Sequence, residues 1–370
     1  MPLKVISVVG ARPNYMKIAP VMEEMKKHPR IFSSRLVHTG QHYNRAMYHL
    51  FFEDLGMPRP DINLEVGSGT HSQQTATVMV EFEKVLMKDK PDIVVVAGDV
   101  NSTLACALVA KKLHIKVAHI ESGLRSFDMK MPEEINRKLT DSISDYLFTP
   151  SIDGNQNLIN EGIDKRKIHF VGNIMIDTLL RCKKLAQAKD KVKKLGCERR
   201  KFALLTMHRP DNVDKKENFS LAIKALAKIA KTVPILFPAH PRTQKKIKEF
   251  KLTKYFKGTD ENKNQGIFLI PPLGYLDFVN LMMNARFVLT DSGGIQEETT
   301  VLRVPCLTLR PNTERPVTIS SGSNMLVGLD EKKILKGVKR ILNSGKGKYK
   351  IPKYWDGKTA QRIVAVLKND

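Results

Sequence analysis

Three carboxylates in the first half of the chain stand where an acid or a base could work. Asp99 follows the apolar run Ile93–Ala97 in Gly98-Asp99-Val100-Asn101-Ser102-Thr103. Glu121 follows a second run in His119-Ile120-Glu121-Ser122-Gly123-Leu124-Arg125, and Glu133 opens a helical pattern in Met131-Pro132-Glu133-Glu134-Ile135-Asn136-Arg137. Each also has a bland reading. Asp, Asn and Ser favour a helix N-cap, and proline with acids behind it suits any first helical turn. Three converging carboxylates are harder to dismiss, because close acids raise one another's pKa and become usable near neutrality. His208, in Leu204-Leu205-Thr206-Met207-His208-Arg209-Pro210, adds a titratable ring at the end of another apolar run, with a core or capping role as the alternative.

A second set of residues has the character of an anion site. Gly10-Ala11-Arg12-Pro13-Asn14-Tyr15-Met16-Lys17 leaves the first apolar run and puts Arg12 and Lys17 at a helix N-terminus, whose dipole favours an anion. It is neither a dinucleotide fingerprint nor a P-loop. The segment Leu289-Thr290-Asp291-Ser292-Gly293-Gly294-Ile295-Gln296-Glu297-Glu298 is the most informative. A strand, then Ser292-Gly293-Gly294, then a helix directs consecutive backbone N–H groups at an anion. Glu298, one turn in, is placed to accept from the vicinal hydroxyls of a sugar. Arg310 and Arg315 follow a further strand in Leu309-Arg310-Pro311-Asn312-Thr313-Glu314-Arg315-Pro316. A diphosphate cradle, a sugar-hydroxyl acceptor, opposing acids and a histidine amount to a nucleotide-sugar site. Neither a metal cluster nor a cofactor motif accompanies them.

These residues need elements to hold them at strand ends. Short apolar runs at 5–9, 35–38, Ile93–Ala97, 117–120 and 146–148 alternate with helical patterns at 16–27, 44–55, 71–87, from 102 and from 132. A second series, Ala203–Thr206, Ile235–Pro238, Ile267–Ile270, Phe287–Thr290 and 306–309, repeats the alternation. Near-continuous apolar strands separated by helices predict parallel sheets covered on both faces. The expected fold class is α/β, with two Rossmann-like doubly wound domains facing across a cleft. The domains are placed at residues 1–172 and 173–355, with a C-terminal helix in 356–370 that has no strand after it. In open α/β sheets ligands bind at the carboxyl ends of the strands, where all the residues above fall.

Composition narrows the class further. The chain has 370 residues, 42% hydrophobic and 27% charged, which suits folded domains and excludes collagen-like or disordered chains. No apolar run reaches the ~18 residues of a membrane span, and the N-terminus lacks a signal-peptide pattern. Four scattered cysteines without a C-x-x-C pair argue against zinc or a disulfide framework and suit a cytoplasmic protein. The net charge of +24 is uneven: residues 1–172 hold 22 basic and 20 acidic side chains, the remainder 40 and 18. Lysines along amphipathic helices account for this as solvated faces. A polyanion-binding role is the alternative, but no zinc-finger or RNA-binding signature supports nucleic acid.

Read together, the blocks Gly10-Ala11-Arg12-Pro13…Lys17, Thr39-Gly40-Gln41-His42, Gly98-Asp99, Glu121…Arg125, Pro132-Glu133-Glu134…Arg137, His208-Arg209, Asp291…Glu298 and Thr313-Glu314-Arg315-Pro316 resemble the non-hydrolysing UDP-N-acetylglucosamine 2-epimerases. The resemblance follows their order over nearly the whole chain. It implies a GT-B-type fold, a homodimer, a place in polysaccharide biosynthesis, and a UDP-sugar as substrate with no cofactor. It implies interconversion of UDP-N-acetylglucosamine and UDP-N-acetylmannosamine through elimination of UDP to a 2-acetamidoglucal. By the same resemblance Asp99, Glu121, Glu133 and His208 match catalytic positions. Arg12, Lys17, Leu273, Phe278, Ser292, Gly293, Gly294, Glu298 and Arg315 match substrate contacts, with Phe278 near the uracil. Gln41 and His42 fall in a regulatory block, although Asn44 and the segment 67–74 depart from the family pattern, as does Leu273. A 2-epimerase of a UDP-diacetamido-uronic acid, a hydrolysing epimerase and a GT-B glycosyltransferase are the competing activities.

Overall fold

A computed structural model of the protein describes residues 1–40, 59–258, 264–343 and 349–369. The expected helix at 44–55, Gln41 and His42 lie outside the described residues. Two compact units are present, Met1–Arg181 with Lys353–Asp370, and Cys182–Pro352. Residues 173–181 and 353–355, expected with the second domain, therefore belong to the first.

In the first unit β1 (Leu3–Val9), β2 (Phe32–His38), β3 (Ile62–Asn63), β4 (Ile93–Ala97), β5 (Lys116–Ile120), β6 (Tyr146–Thr149) and β7 (Ile168–Phe170) form one sheet, in the order 3-2-1-4-5-6-7. Every pair is parallel. The helices α1 (Arg12–Lys26), α2 (His71–Asp89), α3 (Asn101–Lys112), α4 (Pro132–Ile143), α5 (Ile152–Asn160) and the start of α6 (Ile174–Gln187) alternate with these strands. The Ile-Val-Val-Val-Ala run of β4 is buried at all five positions, as a strand covered on both faces must be. Its neighbours β1 and β5 pair with it at Val5↔Ile93 and Ile93↔Lys116.

The second unit repeats the plan. It contains α7 (Lys191–Lys194), β8 (Ala203–Thr206), α8 (Pro210–Val213), α9 (Lys216–Ile229), β9 (Ile235–Pro238), α10 (Pro241–Glu249), β10 (Phe256–Lys257), β11 (Ile267–Ile270), α11 (Tyr275–Asn284), β12 (Phe287–Thr290), α12 (Gly293–Leu302), β13 (Cys306–Thr308), α13 (Val317–Ser320), β14 (Asn324–Leu326) and α14 (Glu331–Asn343). Its strands are also all parallel, in the order 10-11-9-8-12-13-14. Strand order reverses between β1 and β4 in one sheet and between β8 and β12 in the other. Those two switch points are where open α/β sheets bind ligands. The strands absent from the expectation, β3, β7, β10 and β14, are the four sheet edges. They are two or three residues long and mostly half-buried, so they carry no apolar run to read.

The last helix, α15 (Thr359–Leu367), packs on α1 in the first unit. Asp177 of α6 holds its start, accepting from Thr359 N at 3.2 Å and Ala360 N at 2.8 Å. Trp355, fully enclosed just before it, donates Nε1–H to Pro150 O at 2.9 Å. Asp177→Ala removes this cap at a cost of about 1 kcal/mol. Amide hydrogen exchange across 359–367 should then quicken roughly fivefold, the ratio that cost implies, while amides of β8–β14 keep their wild-type rates.

Candidate active site

The carboxyl ends of β1, β4 and β5 bring together the expected acids of the first unit. Gly98 turns the chain out of β4 with φ of +70°, and a Cβ there would lie 2.8 Å from the Lys17 ammonium nitrogen. Lys17 points inward from α1 and pairs with Glu121 Oε2, both side chains being buried. Glu121 directly follows β5 in the left-handed region with φ of +69°. A non-glycine residue held there is strained, and such strain collects at functional sites. Asp99 is half-exposed and accepts from Arg137 Nε at 2.9 Å, with Nη2 2.8 Å away. Arg137 also donates to Glu134, whose carboxylate takes the N–H groups of Ser126 and Phe127 at 2.9–3.1 Å. Asn136 donates to Asp99 O at 2.9 Å, so α4 is tied to the β4 turn and carries half-buried Glu133 in its first turn. Arg12 is the first residue of the same helix as Lys17.

Behind this layer His119, Asp141 and Arg125 are enclosed and lead out to Glu161 at the surface. His119 Nδ1 is 2.7 Å from Asp141 Oδ1, and Nε2 donates to Gly98 O at 2.8 Å. Asp141 Oδ2 accepts from Gly123 N at 3.0 Å and lies 2.7 Å from Arg125 Nη1. Arg125 in turn grips Glu161 through Nε and Nη2 at 2.9 and 2.6 Å. Burial pushes the Asp141 carboxyl up, but His119, Arg125 and the Gly123 N–H outweigh it and hold it below the usual carboxylate range.

In the second unit the ends of β8 and β12 meet at Thr206↔Thr290, whose hydroxyls bond at 2.7 Å. Asp291, fully enclosed, receives the N–H groups of His208 and Arg209 at 3.0 Å and Asn212 Nδ2 at 3.1 Å. His208 Nδ1 sits 3.2 Å from the same carboxylate, while the ring is 58% exposed. Ser292 stands at the N-cap position of α12 without a side-chain capping bond, and its N–H is taken by Thr290 Oγ1 at 3.0 Å. A Cβ on Gly293 would lie 2.5 Å from Arg315 Nη1, so the close approach of that guanidinium requires glycine. Gly294 faces open space. Arg315 is pinned by two buried acids, Glu297 at 2.7 Å and Glu314 at 2.6 Å. Glu314 also pairs with Arg310 at 2.9 Å, and Arg209 lies 3.7 Å away. Burial lowers the Arg310 guanidinium against the pull of Glu314. Glu298 is buried and accepts from Tyr275 OH at 2.7 Å. Phe278, in the first turn of α11, and Leu273, just before it, are half-buried.

The comparisons with known proteins agree with this architecture. The family model for UDP-N-acetylglucosamine 2-epimerase matches residues 23–368. The UDP-N-acetylglucosamine 2-epimerase of Methanocaldococcus jannaschii is 45% identical over 370 residues, covering 99% of each chain. The chain belongs to the UDP-N-acetylglucosamine 2-epimerase family. The crystal structure of the Methanocaldococcus jannaschii enzyme in complex with UDP-GlcNAc and UDP superposes with a TM-score of 0.90 over 100% of both chains. The Neisseria meningitidis UDP-GlcNAc 2-epimerase, crystallised with UDP-GlcNAc, is 31% identical with a TM-score of 0.87 over 100% of both chains. The UDP-2,3-diacetamido-2,3-dideoxy-D-glucuronate 2-epimerase of Pseudomonas aeruginosa is 40% identical over 344 residues, 92% of each chain. The fold is accordingly the α/β GT-B class, with two Rossmann-like units.

For this family member, sequence reasoning named the side chains at the strand ends and passed over those that hold them. His119, Asp141, Glu134, Arg137, Glu297 and Glu314 carry no signal as individual residues. Their spacing does: Glu134 and Arg137 stand three apart on one helix face, and Glu297 is adjacent to Glu298. No helix of the described residues is long and apolar enough to cross a membrane. Because the folded Asp141 carboxyl is lowered, its contribution to stability is complete above the unfolded value of about 3.9. That contribution is lost as pH falls through the lower folded value. In acid thermal melts Asp141→Asn should flatten the fall of Tm below about pH 4, the unfolded Asp value; a curve as steep as wild type would refute this assignment.

Proposed function

We propose that the protein interconverts UDP-N-acetylglucosamine and UDP-N-acetylmannosamine without net hydrolysis. The observation that carries this reading is the placement of two acids, Asp99 and Glu121, just beyond the carboxyl ends of the adjacent strands β4 and β5, beside the first switch point. An inversion at C2 needs groups that take a proton from one face and return one to the other. The 45% identity to a UDP-N-acetylglucosamine 2-epimerase supports the substrate.

The C2–H of an acetamido sugar is a poor acid, so its removal is coupled to departure of the diphosphate. A carboxylate takes the C2 proton, the C–H electrons form the C1=C2 double bond, and the C1–O electrons leave with UDP. The 2-acetamidoglucal then accepts a UDP oxygen at C1 while a second group protonates C2 from the other face. Atoms and charge balance over the cycle. Asp99, Glu121, Glu133 and His208 are the proton-transfer and leaving-group residues in this scheme, and a positioned base contributes ~10²–10⁴-fold. Arg12, Lys17, Arg315, the Ser292 hydroxyl and the amides of Gly293 and Gly294 stabilise the charge growing on UDP, usually the largest contribution. Glu298 accepts from ribose hydroxyls, and Leu273 and Phe278 border the uracil. Gln41 and His42 are retained as regulatory candidates, the enzyme as a homodimer in the cytoplasm.

Incubation in deuterium oxide with UDP-N-acetylglucosamine should give both epimers, deuterated at C2 and still joined to UDP. Asp99→Asn and Glu121→Gln should each lower kcat by about 10²–10⁴-fold. Product lacking deuterium would sink the mechanism. Turnover confined to the UDP-diacetamido-uronic acid, assayed beside it, would instead favour the activity of the 40% identical Pseudomonas relative.

The two glycines of the cradle should separate in a UDP titration. Gly293→Ala must displace Arg315 and should lower both Tm and UDP affinity. Gly294→Ala meets no protein atom, so Tm should hold while the added methyl, crowding the diphosphate off one amide, lowers affinity for UDP about tenfold. Equal Tm losses would contradict the cradle.

A further inference from the structure

The mechanism above leaves His119 unused, although it is fully enclosed and lies two residues before Glu121. A carbonyl only accepts, so the 2.8 Å contact between His119 Nε2 and Gly98 O is a hydrogen bond donated by the ring. That carbonyl belongs to the peptide whose nitrogen is Asp99. The other edge of the ring is held by Asp141 at 2.7 Å, and Asp141 is itself fixed by Gly123 N–H and Arg125. The imidazole is thus clamped on both sides within the core.

The clamp answers a difficulty the sequence creates. Position 98 favours glycine, since its φ of +70° is left-handed and a Cβ would press on the Lys17 ammonium that pairs with Glu121. Glycine is the residue whose flanking peptides rotate most freely, and here it immediately precedes a half-exposed carboxylate that must be aimed. Gly98 N–H is fixed to Ile120 O at 3.0 Å, Asn136 and Arg137 hold the carbonyl and carboxylate of Asp99, and the Gly98 carbonyl between them is held by His119. We infer that His119 is a positioning residue: through its hydrogen bond to Gly98 O it fixes the Gly98–Asp99 peptide and thereby the aim of the Asp99 carboxylate. The inference rests on the reading of Asp99 as a proton-transfer group. Misplacement of such a group by about 1 Å costs on the order of 10²-fold in rate.

The test compares three substitutions in the full-length protein. His119→Gln keeps a donor toward Gly98 O and loses the one toward Asp141. His119→Asn does the reverse, and His119→Phe fills the space with neither. With UDP-N-acetylglucosamine as substrate, Asn and Phe should lower kcat about 10²-fold with KM within about threefold of wild type, and Gln should recover to within about tenfold. A Gln variant no better than Asn, or KM rising in step with the fall in kcat, would overturn the assignment. Should Phe fail to fold, the Gln–Asn contrast alone decides. Crystal structures read the same claim without turnover: the Gly98 carbonyl should rotate in the Asn variant and hold in the Gln variant. An unrotated carbonyl in His119→Asn would overturn it even if wild type failed to epimerise, an outcome that by itself condemns only the epimerase reading.

Discussion

A lysine ammonium buried against a glutamate carboxylate governs the first unit. Taking Lys17 and Glu121 out of water is costly, and their attraction repays it only when the geometry is tightly held. Much of the surrounding structure meets that condition. Helix α1 begins at the end of β1 so that Lys17 points inward. Directly after β5 the left-handed Glu121 turns to meet it, and directly after β4 stands a glycine at positive φ, where a Cβ would press on the ammonium. Asp99 then follows as the first side chain beyond that glycine.

The second unit solves a related problem with the signs reversed. Arginines that are to meet an anion must stay in place when none is bound, and packing them together unaided would repel them. Glu314 stands among Arg209, Arg310 and Arg315, and Glu297 takes the remaining edge of Arg315. The acids cancel part of the mutual repulsion and fix the guanidinium planes, so the cost of ordering them is met in folding rather than in binding. Asp291 does the same for backbone, gathering the N–H groups of His208 and Arg209 at the end of β8. The asymmetry in formal charge between the halves describes mostly the solvated lysines. The arginines that matter are few and paired.

How much of this was legible depended on burial. The ten inner strands announced themselves as apolar runs because a strand covered on both faces has no polar side to present. The four edge strands did not, since a two- or three-residue strand with one open side reads as loop. Strand-end residues such as Asp99, His208 and Ser292 were legible because several polar groups follow apolar runs in the same way, which capping explains singly but not together. Supporting residues were not: His119 sits inside β5 and Asp141 inside α4, and only tertiary packing brings them together. The boundary at 172 was placed where the second strand–helix series begins, whereas α6 continues the first unit to Arg181 before the chain departs.

That departure has a consequence for how the molecule is made. Two separate stretches, Met1–Arg181 and Lys353–Asp370, make up one unit, and the other is formed by the residues between them. A ribosome therefore releases the β1–β7 sheet early but withholds α15, Trp355 and the groups that satisfy Asp177 until the whole second unit has been translated. During that interval the face of α1 that α15 covers is bare apolar surface, while the later-born unit already has its whole sequence available to fold. The segment translated first is the one finished last, and the nascent chain is most exposed to misassociation along α1.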